Sequence, residues 1–186
     1  MAMPFGRSAK KKAPLDEPAL YDYAVKALGR HMRTEAELRR ICAQRAQPGP
    51  PGEAAIGAVL KRLKEQGYLN DAAYAETYAR LRQENEKFGA RRVRQDLRRK
   101  GVSSRLVERT MDASYGQTNE EALARAHLER KRIARPENEK ETARLVRRLI
   151  AAGFSSGTIY KILRHWNVPD ESLAGLDQMG EDSHEE

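Results

Sequence analysis

The 186-residue chain has one cysteine, few aromatic residues and no long hydrophobic run. A single thiol, Cys42, cannot form a disulfide within the chain, which fits a reducing compartment and predicts a cytoplasmic protein. We expect Cys42 to be a small buried apolar residue. No segment approaches the ~18 apolar residues of a membrane span, and the charged amino terminus lacks the apolar stretch of a secretory signal.

Groups that carry catalysis are equally scarce. None of the four histidines, at positions 31, 127, 165 and 184, has a histidine or cysteine neighbour at metal-ligand spacing. Walker-type phosphate loops and Gly-x-Ser-x-Gly elbows are absent. One alternative stays open: Asp71, Glu76 and Asp96, if they converged, would suit a metal-dependent nuclease. Otherwise the sequence predicts a protein that binds rather than catalyses, without catalytic residue, cofactor or metal.

Charge is unevenly distributed along the chain. Residues 1–14 carry four cations and no acid, whereas residues 170–186 carry seven acids and no lysine or arginine. Without these tails, the totals of 35 cations and 27 acids fall to 31 and 20 on the middle of the chain. A body this basic favours a polyanionic partner. The acidic tail either folds back onto the body and competes with that partner, or only keeps the chain solvated.

Apolar residues recur at intervals of three and four, and strand-like alternation is absent, so we expect nine helices and an all-α fold. Capping signals mark the helix starts, because short polar side chains satisfy the first backbone N–H groups. The pairs with this spacing are Thr34 with Glu37, Thr118 with Glu121 and, more loosely, Asn138 with Glu141; single candidates are Asn70 and Ser103 or Ser104.

The chain also resembles itself. Residues 93–111 can be laid over 145–163, with a glycine, an apolar residue and a Ser-Ser pair in register at both Gly101 and Gly153. Each copy predicts a helix ended by glycine, an apolar contact beyond it and a serine cap on the next helix. In a weaker third copy, over 19–69, the Pro-Gly-Pro-Pro-Gly run at 48–52 replaces this junction and is expected to be a non-helical loop.

Together these copies predict three three-helix repeats at 15–69, 70–116 and 117–168. A flexible basic tail, 1–14, precedes them, and a flexible acidic tail, 169–186, follows. Repeats of this size stack because one alone buries too little apolar surface, so an elongated, curved array is expected.

The richest stretch for binding is GARRVRQDLRRKG at 89–101. On a helix, Val93 and Leu97 share a face with Ala90, and the arginines spread over the opposite side. The equivalent helix of the third repeat also directs arginines away from its apolar face. Arginine suits phosphate or carboxylate because its planar fork binds both oxygens. The candidate binding residues are Arg91, Arg92, Arg94, Arg98, Arg99, Arg144, Arg147 and Arg148.

Aromatic side chains suited to stacking on bases are few. Tyr74, Tyr78 and Trp166 are interpreted as core residues rather than stacking platforms.

Four stretches resemble the RecX family of bacterial recombination regulators: ALGRHMRTEAELRR at 27–40, VLKRLKEQGYLNDAAYA at 59–75, GARRVRQDLRRKGV at 89–102 and GFSSGTIYKIL at 153–163. The most specific feature is the Gly-Tyr-Leu-Asn-Asp run followed by the arginine-rich third stretch. The resemblance covers roughly residues 19–166. The proline-glycine run at 48–52 departs from the family pattern, and the acidic tail lies outside it.

The resemblance implies tandem three-helix repeats and a role without catalysis. Proteins of this family bind the RecA–DNA filament along its groove and dampen strand exchange, ATP hydrolysis and the co-protease signal of the SOS response. The implied partners are the RecA filament and the backbone of single- or double-stranded DNA, with no membrane partner and a monomer as the expected state. The family's basic surface maps onto the arginines of 91–99 and adds Lys100. A stand-alone, sequence-independent DNA-binding protein remains the alternative.

Overall fold

The computed structural model describes residues 13–168, and in that range it contains nine α-helices and no strand, which confirms the all-α prediction. The acidic tail and residues 1–12 of the basic tail lie outside this range. No helix among the described residues is long and apolar enough to cross a membrane. The helices are α1 (Glu17–Leu28), α2 (Glu35–Ala43), α3 (Pro50–Glu65), α4 (Asp71–Glu84), α5 (Ala90–Arg99), α6 (Ser104–Tyr115), α7 (Glu120–Arg130), α8 (Glu139–Ala151) and α9 (Ser156–His165).

The chain divides into two compact units, one up to Asp71 and the other from Ala72 onward. The first unit contains α1–α3 around one core, which includes Leu38 and the fully buried Cys42 as predicted. Burial raises the pKa of the Cys42 thiol to about 11. The second unit contains two cores, one built by α4–α6 and one by α7–α9, and Phe88 packs against both. The limits of the three repeats stay a prediction.

The predicted capping box opens α2. The Thr34 hydroxyl accepts a hydrogen bond from the Glu37 N–H at 3.1 Å, and the Glu37 carboxylate accepts one from the Thr34 N–H at 3.3 Å. Side chains also cap α8 and α9: Asn138 accepts from the Glu141 N–H at 3.0 Å, and Ser155 holds the same position before α9.

The prediction that Thr118 and Glu121 form a capping box at the start of α7 is wrong, because the helix is capped one residue later. The cap is Asn119, whose side chain accepts from the Ala122 N–H at 3.0 Å. The Thr118 hydroxyl is engaged elsewhere, because it accepts a hydrogen bond from the Gln83 amide at 2.8 Å and donates to the Ser114 carbonyl at 3.3 Å. Asparagine is as good a cap as threonine or better, so sequence spacing alone does not separate the two.

The loop predicted over 48–52 is helical from Pro50 onward. Gly49 caps α3 with a φ of 81°, and the prolines fill the first helical positions. Proline is tolerated there because first-turn N–H groups have no partner within the helix. Gly52 is needed for close packing, since a Cβ on it would lie 1.7 Å from the Gln47 carbonyl oxygen.

Five helices end in the same way, with a residue of positive φ just beyond the helix. In α8 the Gly153 N–H donates to the Ile150 carbonyl at 2.9 Å, and the Phe154 N–H donates to Leu149 at 3.1 Å. These two hydrogen bonds form the Schellman motif, which favours glycine at the left-handed position. The predicted glycine junctions at Gly101 and Gly153 are confirmed. The left-handed residues after α3, α5, α7, α8 and α9 are Gly67, Gly101, Arg132, Gly153 and Asn167.

The end of α8 meets the start of α5, and we call this contact the α8–α5 junction. The Gly89 N–H donates to the Ala152 carbonyl at 2.9 Å, and the Arg91 N–H donates to the Gly153 carbonyl at 3.3 Å. The unpaired N–H groups of one helix thus satisfy the unpaired carbonyls of another, and the opposite ends of two helix dipoles lie together. A Cβ on Gly89 would lie 2.3 Å from the Gly153 carbonyl oxygen.

We predict that Gly153→Ala destabilises the fold. The residue has a φ of 93°, and its Cβ would lie 2.3 Å from the Arg92 nitrogen. Left-handed strain of about 1–2 kcal/mol and an overpacking cost of about 1–3 kcal/mol should lower the free energy of unfolding, measured in urea. The control is Gly157→Ala in α9, where nothing lies within 4 Å of the added Cβ and a gain of about 0.5–1 kcal/mol is expected. Equal stability of both variants would contradict the junction.

A carboxylate ties α7 to the start of α9. Glu120 accepts hydrogen bonds from the Ser155 N–H at 2.9 Å and the Thr158 hydroxyl at 2.6 Å, and also from the Ser155 hydroxyl. Burial alone would raise the pKa of Glu120, but the three hydrogen bonds outweigh burial and hold that pKa below its ordinary value. The group is therefore a charged acceptor at neutral pH.

We predict that Glu120→Ala lowers the free energy of unfolding by about 1–3 kcal/mol at pH 7, because it leaves the Ser155 and Thr158 donors unsatisfied. Since the pKa of Glu120 is lower in the folded than in the unfolded chain, its contribution is complete above the unfolded pKa of about 4.3. The contribution is lost as the pH falls toward the folded pKa, so the wild type should approach the variant in acid. Glu121→Ala is the control: among the described residues this neighbour forms one ion pair, with Arg125 at 2.8 Å, and it should matter much less. A constant difference from pH 7 to pH 3 would refute this account.

Candidate interaction surface

Helix α5 separates an apolar face from a basic one. Val93 and Leu97 are fully buried, and Ala90 packs against the same core, as the sequence predicted. Arg91, Arg98 and Arg99 are exposed, while the remaining cations of the helix are half-buried. The helix therefore presents a dense row of guanidinium groups, and the question is what neutralises them.

One carboxylate on α6 bridges two of these arginines. Glu108 accepts from the Arg94 Nε at 3.1 Å and from the Arg98 guanidinium at 2.8 Å. All three side chains are between about one third and just over one half exposed. The pairing joins α5 to α6 and lowers the net charge of the basic face.

Asp96 neutralises the other side of the helix. Its carboxylate binds the Arg92 Nε at 3.1 Å, accepts from the Tyr78 hydroxyl at 3.2 Å and lies 4.0 Å from Arg99. Arg92 also donates to the Ala151 carbonyl at 3.2 Å, so it belongs to the α8–α5 junction. Burial, together with the charge on Asp96, raises the pKa of Tyr78, which keeps the hydroxyl a donor.

The last cation of the segment contacts aromatic rings. The Lys100 ammonium lies 5.6 Å from the ring centroid of Tyr74 and 5.4 Å from that of Tyr78. Tyr74 is buried, and Tyr78 packs against the same core, so both are core residues as interpreted from the sequence. Trp166 likewise packs against the core of α7–α9.

The arginines of α8 differ from those of α5. Arg144, Arg147 and Arg148 are exposed, whereas Leu145 and Leu149 on the opposite face are buried. Among the described residues, no carboxylate lies within ion-pair distance of these three guanidinium groups. An anion can bind them without displacing a carboxylate of residues 13–168.

Sequence reasoning missed Glu108 as the partner of Arg94 and Arg98. Its position on the next helix, 14 residues after Arg94, depends on how α6 folds back on α5, which no local pattern gives. The acids considered for a nuclease each have a separate partner: Asp71 accepts from the Glu35 N–H at 2.8 Å, and Glu76 lies 4.0 Å from Arg109. Within residues 13–168, no cluster of acids, histidines or cysteines could hold a metal ion.

A family model described as the second three-helix domain of RecX matches residues 70–111, which include all of α4 and α5 and most of α6. A regulatory protein RecX from Leptothrix cholodnii is 36% identical over 141 residues, which cover 76% of this chain and 85% of the relative. The chain belongs to the RecX family. RecX is a family of regulatory proteins, not of enzymes.

Other RecX proteins agree with this assignment. A regulatory protein RecX from Thermus thermophilus is 33% identical over 153 residues, which cover 82% of this chain and 94% of the relative. A crystal structure of RecX from Lactobacillus salivarius has a TM-score of 0.64, with 20% identity, over 82% of this chain and 97% of the other. At that identity the structural likeness shows the shared helical fold alone.

Proposed function

We propose that this RecX protein binds the RecA–DNA filament along its groove and lowers the recombinase, ATPase and co-protease activities of RecA. The observation that carries the proposal is the extended identity with proteins named regulatory protein RecX. The contacts are assigned to the cations of α5, of its C-cap residue and of α8: Arg91, Arg92, Arg94, Arg98, Arg99, Lys100, Arg144, Arg147 and Arg148.

The ion pairs of α5 leave its arginines available to a partner. Exposed pairs contribute only about 0–1 kcal/mol each, so a phosphate or carboxylate of the filament can replace Glu108 at little cost. The guanidinium forks of Arg94 and Arg98 already converge on one anion. The same geometry suits a backbone phosphate group, which likewise offers two free oxygens, one to each guanidinium group.

Binding at several cations is needed for regulation. A ligand changes the filament only through its differential affinity for two filament states. Reversing a two-state equilibrium from 1:99 to 99:1 requires affinity for one state that is about 10⁴-fold higher. No single exposed pair supplies this difference, so contacts from α5 and α8 together are required.

The direct test is RecA ATPase activity on single-stranded DNA with substoichiometric amounts of this protein. We expect the ATPase rate to fall well before one molecule is present per RecA protomer. An unchanged rate, together with tight and steeply salt-dependent binding to bare DNA, would instead favour the stand-alone DNA-binding alternative.

We predict that the triple substitution of Arg91, Arg94 and Arg98 by alanine raises the concentration needed for half-inhibition roughly tenfold or more, since about 1.4 kcal/mol of lost binding is a factor of ten. The helix should persist, because alanine is the better helix former and the buried face of Val93 and Leu97 is untouched. Circular dichroism checks the fold. Full inhibition by a well-folded triple variant would refute the assignment.

Two further variants sharpen this test. Replacing Arg80, Arg105 and Arg109 by alanine removes the same charge from α4 and α6 and should change inhibition little. Glu108→Gln removes the carboxylate that Arg94 and Arg98 share, so it should strengthen inhibition. If Glu108→Gln weakens inhibition, the pairing orients the arginines instead of competing with the partner.

We predict that removing residues 170–186 tightens binding to bare DNA at low salt. Seven acids near a basic body compete with DNA at a high effective concentration. Because each exposed pair is weak, the effect is collective, and the gain should shrink as salt rises. Fluorescence anisotropy of a labelled oligonucleotide measures it. Identical binding by the full-length and truncated chains at low ionic strength would leave the tail only a solvated end.

A further inference from the structure

The loop between α7 and α8, residues 131–138, lies beside the first half of α8 and encloses a cleft of about 270 Å³. We call it the α7–α8 cleft. One carboxylate lines it, that of Glu141, which accepts a hydrogen bond from the Glu137 N–H at 3.0 Å. Five cations line the same space: Lys131, Arg132, Arg135, Arg144 and Arg148.

Four of these cations lack an ion pair among the described residues. Lys131 faces Glu86 at 3.7 Å, but no carboxylate within residues 13–168 lies within 4.0 Å of the arginine guanidinium groups of the cleft. A concave surface lined by charge of one sign focuses its field and concentrates ions of the opposite sign. The cleft therefore differs from α5, whose arginines already share Asp96 and Glu108.

The backbone at Arg132 supports a role for its side chain. Arg132 has a φ of 51° and occupies the left-handed position at the end of α7. The equivalent position is glycine after α3, α5 and α8 and asparagine after α9. An arginine there strains the backbone, which glycine would relieve. An arginine in this strained position supports the hypothesis that its side chain has a function.

Backbone hydrogen bonds fix the start of this loop before any ligand arrives. The Arg132 N–H donates to the Glu129 carbonyl at 2.9 Å, and the Ile133 N–H donates to Leu128 at 2.9 Å, which closes the Schellman turn. Pro136 is buried. A ligand thus meets a loop backbone that is already ordered, and the ordering cost that remains is that of the exposed arginine side chains.

We propose that the α7–α8 cleft binds the phosphodiester backbone of nucleic acid. Arginine forks match phosphate oxygens, and several arginines around one cleft suit successive phosphates. The volume of the cleft lies below the ~300–1,000 Å³ of sites that enclose a small molecule. Its four arginines are exposed. We therefore expect a nucleic-acid strand to pass along the cleft, with its bases left outside. This proposal rests on the filament-binding proposal and refines it. Because it is tested on bare DNA, without RecA, the cleft can fail as a DNA site while filament binding holds, and the reverse.

The test is anisotropy of a labelled single-stranded oligonucleotide with the full-length protein across a salt series. Replacing Arg132, Arg135 and Arg144 by glutamine should weaken binding at least tenfold at low salt. Because the slope of log affinity against log salt is negative, it should become less steep by about 2, at ~0.7 per phosphate contact on a single strand. The matched control replaces Arg80, Arg105 and Arg109 by glutamine. An equal loss in both variants, or no loss in the first, would overturn the site.

Arg132→Gly separates binding from folding. Relief of the left-handed strain should raise the Tm by about 2–4 °C, while DNA affinity falls about three- to fivefold. A more stable protein with unchanged affinity would overturn the role of Arg132.

The chain's own acidic tail is the competing occupant of the cleft. If the triple glutamine variant abolishes the gain from removing residues 170–186 but leaves DNA binding by the truncated chain unchanged, the tail occupies the cleft and the nucleic-acid assignment is wrong. If the variant weakens DNA binding by the truncated chain as well, the cleft binds the strand.

Discussion

The left-handed turn that ends five of the nine described helices is the constraint on which the rest of this fold depends. The turn pairs the last carbonyls of a helix and reverses the chain, and after α5, α8 and α9 it also places the following residue against the core. Val102 and Phe154, each the residue after such a turn, are 4% and 1% exposed. The reversals at Gly101 and Gly153 therefore close two groups of helices around their own apolar residues.

The two basic helices solve the same electrostatic problem differently. On α5 the guanidinium groups repel one another, and Asp96 and Glu108 offset that repulsion within the chain. On α8 the arginines stay exposed to solvent and to any anion that approaches. The ion pairs hold the arginines of α5 in fixed positions. The exposed arginines of α8 keep a strong attraction for an anionic partner.

Local signals predicted much of this structure. The capping box at Thr34, the glycine junctions at Gly101 and Gly153 and the burial of Cys42 follow from interactions within a few residues or from side-chain polarity. Such signals fail where alternatives are close in energy, as between Thr118 and Asn119. They also failed at Pro50, because the rule against proline inside helices was applied to a first turn, where it does not hold.

The rest depends on tertiary geometry. That Glu108 reaches Arg94 and Arg98 follows from the packing of α6 on α5. The cations of the α7–α8 loop left a visible trace in the Arg-Lys-Arg run at 130–132, but their convergence with Arg144 and Arg148 required the path of the loop.

The α8–α5 junction also has a consequence for synthesis on the ribosome. Arg92 and Ala151 are 59 residues apart, so several seconds of translation, at about 5–20 residues per second, separate the start of α5 from its partners. Gly89 provides no side-chain cap in the meantime. The first unit has its complete core by then, whereas the first turn of α5 frays until α8 emerges. A nascent chain thus orders the first turn of α5 only after most of its helices have been synthesised.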